Sequence, residues 1–370
     1  MPYSDSEWAI FKCPIQTILT IMDYLPDQAD VSRCMRTCRK LFFRGERILL
    51  RRLVHVTEDN LESFCLFMRR DLDRGRFLRN ISLEFTTIGG GDAQTLIATM
   101  KRASNLKKLE IAAPVLQADW RVPIALGELT SVEELKVEGY NNEMHHFLMN
   151  LYCPVRKATI CFRIPDGPDT PTLDMLHSLS RFHDTLEDLS ADYVTWLSIR
   201  SRPASIFPKL WALHLKDHSI RDISILENAL PNLRILVDGN YLKLKESYSL
   251  GGDRSPWPLL EFLHIHPGSY LAPTVLSKVD TLRFDVSDRQ KFNSLGYRAI
   301  ILQTQPKRLI LRTYSVDASI TPALLSTPST RIRTLAIVWS TLDSWGATSW
   351  IDHIVSQSSM RSYIQLTRYL

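Results

Sequence analysis

The side chains in this sequence that could do chemistry are few and scattered. His264 and His266 are two residues apart, so in a strand they would share a face and could hold a metal ion. A metal site wants further ligands, and no third one stands beside them, so no metal and no other cofactor is expected. Cys34 and Cys38 are one helical turn apart, but no second pair follows, and none of the six cysteines forms a CxxC unit. They read as reduced core thiols. Gly89-Gly90-Gly91 lacks the Lys-Ser/Thr that completes a phosphate loop and reads as a turn. There is no G-x-S-x-G nucleophile elbow and no HExxH. No residue is assigned a catalytic role, and the chain is not expected to be an enzyme.

The composition is that of a folded chain: 45% hydrophobic and 23% charged over 370 residues. No apolar run reaches the roughly 18 residues of a membrane span. The opening MPYSDSEWAIFKCP carries acids where a signal peptide would be basic and then apolar, so a cytoplasmic or nuclear location is expected. Asn80-Ile81-Ser82 matches a glycosylation sequon but falls in an expected strand of a chain not read as secreted. Net charge is +5. One stretch is unbalanced: Arg33, Arg36, Arg39, Lys40, Arg44, Arg47, Arg51 and Arg52 stand against Glu46 alone. Such a run could bind phosphate; with Phe42 and Phe43 as its only aromatics, it reads instead as a solvated helical face or one facing a protein partner. Neither a membrane nor a nucleic acid is expected as a partner.

The rest of the chain repeats one pattern: an apolar residue, two others, an apolar residue, one other, an apolar residue. It begins at Leu78/Ile81/Leu83 and ends at Ile332/Leu335/Ile337. The middle residues are Ile81, Leu109, Leu135, Ala158, Leu189, Leu213, Leu236, Leu263, Leu282, Leu309 and Leu335, recurring every 19 to 31 residues. Around Leu236 the third position is broken. Alternation places the second and third residues of each copy on one face of a strand. A single such strand cannot bury its apolar face; stacking the copies makes a continuous core. The pattern and its period, about 25 residues, resemble leucine-rich repeats. The resemblance implies parallel strands on a concave face, with helices and loops on the convex side.

Helical stretches between the strands are expected at 92–104, 142–151, 172–183, 220–230 and 294–303, with Asp92 and Thr172 as N-caps. The positions that commonly hold the Asn of such repeats hold none here, so the repeats should be irregular. Residues 247–258, rich in Gly and Pro, are expected to form a protruding loop, and 349–358 a final helix, with Trp345 and Trp350 covering the last repeat. Side chains flanking the middle residue should line the concave face. They run from Glu134, Lys136, Glu138, Asp188, Ser190 and Asp192 to a more basic set at the C-terminal end. That set, His214, Lys216, His264, His266, Arg283, Arg308 and Arg312, is the candidate surface for a protein substrate and suits an acidic or phosphorylated segment. Phe262 and Asp285 lie on the same face.

Residues 11–53 form a separate helical unit. Ile18, Ile21 and Leu25 make one apolar stripe between Pro14 and Pro26. A second helix is expected over 31–43, with Val31, Met35, Cys38 and Leu41 inward, and a third over 46–53 after Gly45. The segment Cys13-Pro14-Ile15-Gln16-Thr17-Ile18, with Ile21 and Leu25 in register, then Asp30-Val31 and Thr37-Cys38-Arg39-Lys40-Leu41, resembles an F-box. It departs from that family at Cys13, Gln16 and Thr17. The resemblance implies that Pro14, Ile18, Ile21, Leu25, Val31, Cys38 and Leu41 dock a Skp-type adaptor, and through it a cullin-RING ligase.

The expected architecture is therefore α/β: a three-helix F-box at 11–53, a connecting helix at 54–76, an irregular leucine-rich-repeat solenoid at 77–340 and a capping segment at 341–370. The implied function is the non-catalytic substrate-recognition subunit of an SCF-type ubiquitin ligase. The alternative is a leucine-rich-repeat interaction scaffold without ligase function.

Overall fold

A computed structural model of the chain describes residues 14–139, 142–161, 175–192, 206–216, 224–239, 257, 259–265, 278–286, 300–313, 332–339 and 363–368. It is an α/β fold of parallel strands and helices. The chain divides into two compact units, one of Met1–Gly139 with His146–Val155, the other of Tyr140–His145 with Arg156–Leu370.

The first unit opens with three helices, α1 (Ile15–Tyr24), α2 (Gln28–Met35) and α3 (Arg39–Arg51). Pro14 precedes α1, where a missing N–H costs nothing, and its carbonyl accepts from Thr17 N at 2.9 Å. Asp27 caps α2 by accepting from Ala29 N at 2.8 Å. Met22, Val31, Met35, Leu41 and Ile48 form the small core between the helices. The helix boundaries differ from those expected. The second helix stops at Met35, and Cys38, in extended conformation, precedes a third helix that starts seven residues early. Gly45 sits inside that helix rather than before it. A Cβ there would lie 2.3 Å from Met35 Cγ and 2.8 Å from Met35 Sδ, so the glycine permits close helix packing. Tertiary packing outweighs its weak helix propensity.

Strand β1 (Leu53–Thr57), helix α4 (Leu61–Arg69) and a 3-10 turn (Leu72–Phe77) replace the single connecting helix expected over 54–76. The repeat pattern does not mark this strand, because three residues before its middle residue Val54 stands Arg51 rather than an apolar residue, and a strong helical stripe follows it. Then come β2 (Asn80–Glu84), α5 (Gly90–Arg102), β3 (Lys108–Ala112), α6 (Ala113–Ala118), α7 (Arg121–Gly127), β4 (Glu134–Glu138) and α8 (Asn142–Asn150). Gly89, not Asp92, precedes α5; Asp92 lies in its first turn and pairs with Arg69 at 3.1 Å. Helices α6 and α7 were not anticipated, although Pro114 in the first turn of α6 is a helix-start signal. Asn80 of the sequon donates its side-chain N–H to Arg51 O at 3.0 Å.

The three helices are stitched to the strands. Arg74 of the 3-10 turn forms a buried ion pair with Glu46 of α3 and lies 4.1 Å over the Phe67 ring of α4. Arg52 donates to Met22 O at 3.0 Å and Asp23 O at 3.3 Å, satisfying carbonyls left open at the end of α1.

The second unit contains β5 (Lys157–Cys161), α9 (Met175–Ser178), β6 (Asp188–Asp192), β7 (Ala212–Lys216), α10 (Ser224–Ala229), β8 (Ile235–Gly239), β9 (Leu260–Ile265), β10 (Val279–Val286), β11 (Arg308–Thr313), β12 (Thr334–Trp339) and β13 (Tyr363–Arg368). Strand β13 lies where only a capping segment was expected; the expected helix at 349–358, Trp345, Trp350 and Thr172 fall outside the described residues. Of the expected loop at 247–258, only Trp257 is described. It is buried, and its indole Nε1 donates to Leu230 O at 2.8 Å. It behaves as a core residue rather than part of a protrusion.

Within each unit the middle residues stand side by side without slippage. Val54, Ile81, Leu109 and Leu135 are successive partners in the first unit. Ala158, Leu189, Leu213, Leu236, Leu263, Leu282, Leu309, Leu335 and Ile364 are successive partners in the second. A slip of one residue would turn every buried side chain outward, which fixes this register. Ion pairs at the strand starts match it: Arg156 with Glu187 at 2.9 Å, Arg234 with Glu261 at 3.3 Å, Lys307 with Asp280 at 2.7 Å. The break in the pattern at Leu236 is Asp238, fully buried in register between Leu215 and Ile265.

Candidate partner-binding surfaces

Two surfaces collect the residues singled out from the sequence. The first is the outside of the three-helix group. Pro14, Ile21 and Cys38 are exposed, Ile21 at 52%. Ile18 and Leu25 are half-buried against the core. Val31 and Leu41 are buried in that core, so a partner meeting the helices as they stand does not touch them. The reason is helical phase: α2 and α3 turn these two side chains toward Met22 and Ile48, while the break at Arg36–Cys38 carries Cys38 outward. Exposed apolar residues missing from the expected set are Tyr24 (84% exposed) and the pair Phe42 and Phe43, whose rings meet edge to face at 5.8 Å. Tyr24 follows Ile21 at helical spacing and was legible; the two phenylalanines were legible only as a cationic run's neighbours.

The second surface is the open face of the strands in the second unit. The expected alternation holds there: Ser190, His214, Val237, His264 and Arg283 are half-buried, between buried middle and third positions. They are also successive partners across β6 to β10. The cations here are not a bare basic patch. Lys216 Nζ lies 3.2 Å from Asp192, and His214 Nε2 lies 3.8 Å from Asp188, which Lys157 also meets at 3.1 Å. His264 and Arg283 converge on Asp285: His264 Nε2 at 3.3 Å without the alignment of a hydrogen bond, Arg283 Nε and Nη2 at 2.9 and 3.2 Å. Arg308, on β11, is exposed. Arg312 on the same strand is half-buried, and His266 falls outside the described residues.

These neighbours set the charges. Burial pushes the Asp285 carboxyl up, but His264 and the Arg283 guanidinium outweigh it and hold the carboxyl down to about 2. Burial lowers the His214 pKa, Asp188 pulls it up, and the charges of Lys157 and His264 lower it further. The face is therefore a set of matched pairs beside apolar side chains. Ile235, Val237, Phe262, Ile310 and Ala336 are half-buried on it. Apart from Phe262, these apolar members were not anticipated. They occupy the same flanking positions as the charged residues and could have been read from the pattern.

Three groups with chemical potential elsewhere among the described residues are buried. Ser178 Oγ is 2.7 Å from His145 Nδ1, but Ser178 is fully buried, so a substrate does not reach its hydroxyl. Cys65 and Cys153 are buried, and burial pushes both thiols up to about 12. Among the described residues no three His, Cys, Asp or Glu side chains converge in a metal-binding arrangement, and no helix is long and apolar enough to cross a membrane. Comparison of the chain with models of protein families finds no match, and comparison with curated proteins finds none.

Proposed function

We propose that the chain is the substrate-recognition subunit of an SCF-type ubiquitin ligase, with an F-box-like helical unit joined to a divergent leucine-rich-repeat solenoid. It does no chemistry itself. It holds a protein substrate on the concave strand face and raises that substrate's effective concentration near the charged ubiquitin carrier. The observation that carries the reading is the helical unit: three short helices around a small core, Ile21 and Tyr24 exposed on the first, and a buried ion pair fixing the unit to the turn before β2. An exposed aliphatic and an exposed aromatic side chain one turn apart suit a partner that covers them. A rigid link suits a ligase, because a loose one would not hold substrate and carrier at a set distance. The apolar side chains standing beside paired charges on the strand face support a protein as its ligand.

The test is co-purification with the Skp adaptor. Ile21 is the side chain to change, since it is exposed, whereas Ile18 packs on the core. Wild-type chain is expected to form a stable complex that Ile21→Asp loses while its melting is unchanged. A folded wild-type chain that forms no complex would leave the scaffold reading, which the burial of Val31 and Leu41 favours.

A further inference from the structure

The cationic run of the sequence has no part in the reading above, and the structure strips it of its counter-charges. Glu46, its single acid, is buried against Arg74. Arg33 pairs with Asp30 at 2.7 Å, and Arg52 is turned onto the carbonyls that end α1. Six cations remain on the surface: Arg36, Arg39, Lys40, Arg44, Arg47 and Arg51. Arg47 lies 4.6 Å over the Phe77 ring; the other five have no ion-pair partner among the described residues.

They are also grouped. At 3.6 residues per turn, Arg39, Lys40, Arg44, Arg47 and Arg51 fall within about 140° of the circumference of α3. Phe43, 62% exposed, stands among them. Like charges one turn apart, as at Lys40 and Arg44, repel each other, and an anionic ligand relieves that repulsion.

We propose that this face of α3 docks an Asp/Glu-rich protein segment. Four of the five cations on it are arginines, whose planar fork grips carboxylates in pairs. Arginine beside an exposed aromatic ring is the composition of protein-interface centres. The edge-to-face contact of Phe42 and Phe43 favours an apolar side chain over a stacked base, because the two rings meet each other rather than standing apart as platforms. The inference goes beyond the receptor reading: it rests on α3 rather than on Ile21, and holds whether or not the chain enters a ligase.

The experiment uses the full chain and three probes: a fluorescent peptide rich in Asp and Glu with one central Leu, the same peptide with amidated side chains, and a single-stranded RNA of equal charge. The acidic peptide is expected to bind with an affinity that falls as salt rises, and the amidated one not to bind. The variant Arg39→Gln/Lys40→Gln/Arg44→Gln/Arg51→Gln should bind roughly tenfold more weakly or worse, the sum of several modest exposed pairs. Phe43→Ser, which removes no charge, should weaken the peptide and leave the salt dependence intact. Absence of peptide binding, or equal binding by the quadruple variant, overturns the proposal. RNA bound more tightly than the peptide overturns the assignment to a protein partner.

Discussion

Glu46 and Arg74 meet where almost no water reaches: they are 6% and 8% exposed, 28 positions apart in the chain, and joined through their charged ends. One belongs to the third helix and the other to the turn before β2, so this contact locks the helical group to the first strands. The first prediction follows from its burial. Glu46→Ala leaves an uncompensated guanidinium in the interior and should cost about 3–5 kcal/mol in urea unfolding. The double variant Glu46→Leu/Arg74→Met should recover most of that loss, because two apolar side chains need no partners. If the single change costs under one kcal/mol, water reaches the pair.

Two glycines should respond oppositely to alanine. At Gly45 the new methyl meets Met35 Cγ and Sδ, the body of a side chain that is itself buried, so the core must shift. A loss of about 1–3 kcal/mol is expected from overpacking, although alanine is the better helix former. At Gly90, the first residue of α5, nothing lies within 4 Å. Gly90→Ala should stabilise by about 0.4–1 kcal/mol through the unfolded chain. Thermal melts of the two variants check the contrast, and a stabilising Gly45→Ala would mean the helices are less closely packed than described.

The strand face should carry an acid limb in its stability. The Asp285 carboxyl is held down to about 2 when folded and titrates near 4 when unfolded. A depressed folded value means the stabilisation is complete above about pH 4 and disappears as pH falls from 4 toward 2. Screening by partial solvent access limits it to about 1–2 kcal/mol. Asp285→Asn should remove most of this dependence, measured as unfolding free energy against pH. A variant that keeps the wild-type acid limb would place the responsible carboxylate elsewhere.

The cysteines should separate by reactivity. Cys65 and Cys153, held up to about 12, present about one thiolate in ten thousand at pH 8. Cys38 is exposed just before α3. Iodoacetamide on the folded chain should modify Cys38 and spare Cys65 and Cys153 until denaturant is added, as read by mass spectrometry of peptides. Early labelling of Cys65 would show that α4 opens readily. The same reaction reports on the proposed adaptor, which should shield Cys38 when bound.

The strand register was written in the chain itself. Each Leu-x-x-Leu-x-Leu copy carries its own alternation, and a strand with one buried face has only one pairing that keeps Ile81, Leu109 and Leu135 inward together. Local periodicity was enough because the information is local. The candidate surfaces were legible in part for the same reason: flanking positions faced outward as expected, from His214 to Arg283. Local pattern does not carry long-range pairing, and that is where the tertiary structure decided. It placed Asp285 beneath His264 and Arg283, buried Trp257, and turned Val31 and Leu41 into core. It also removed Glu46 from the cationic face by joining it to Arg74. A charge's role depends on which charge faces it across space, and a glycine's on which side chain approaches it; neither neighbour adjoins it in the sequence.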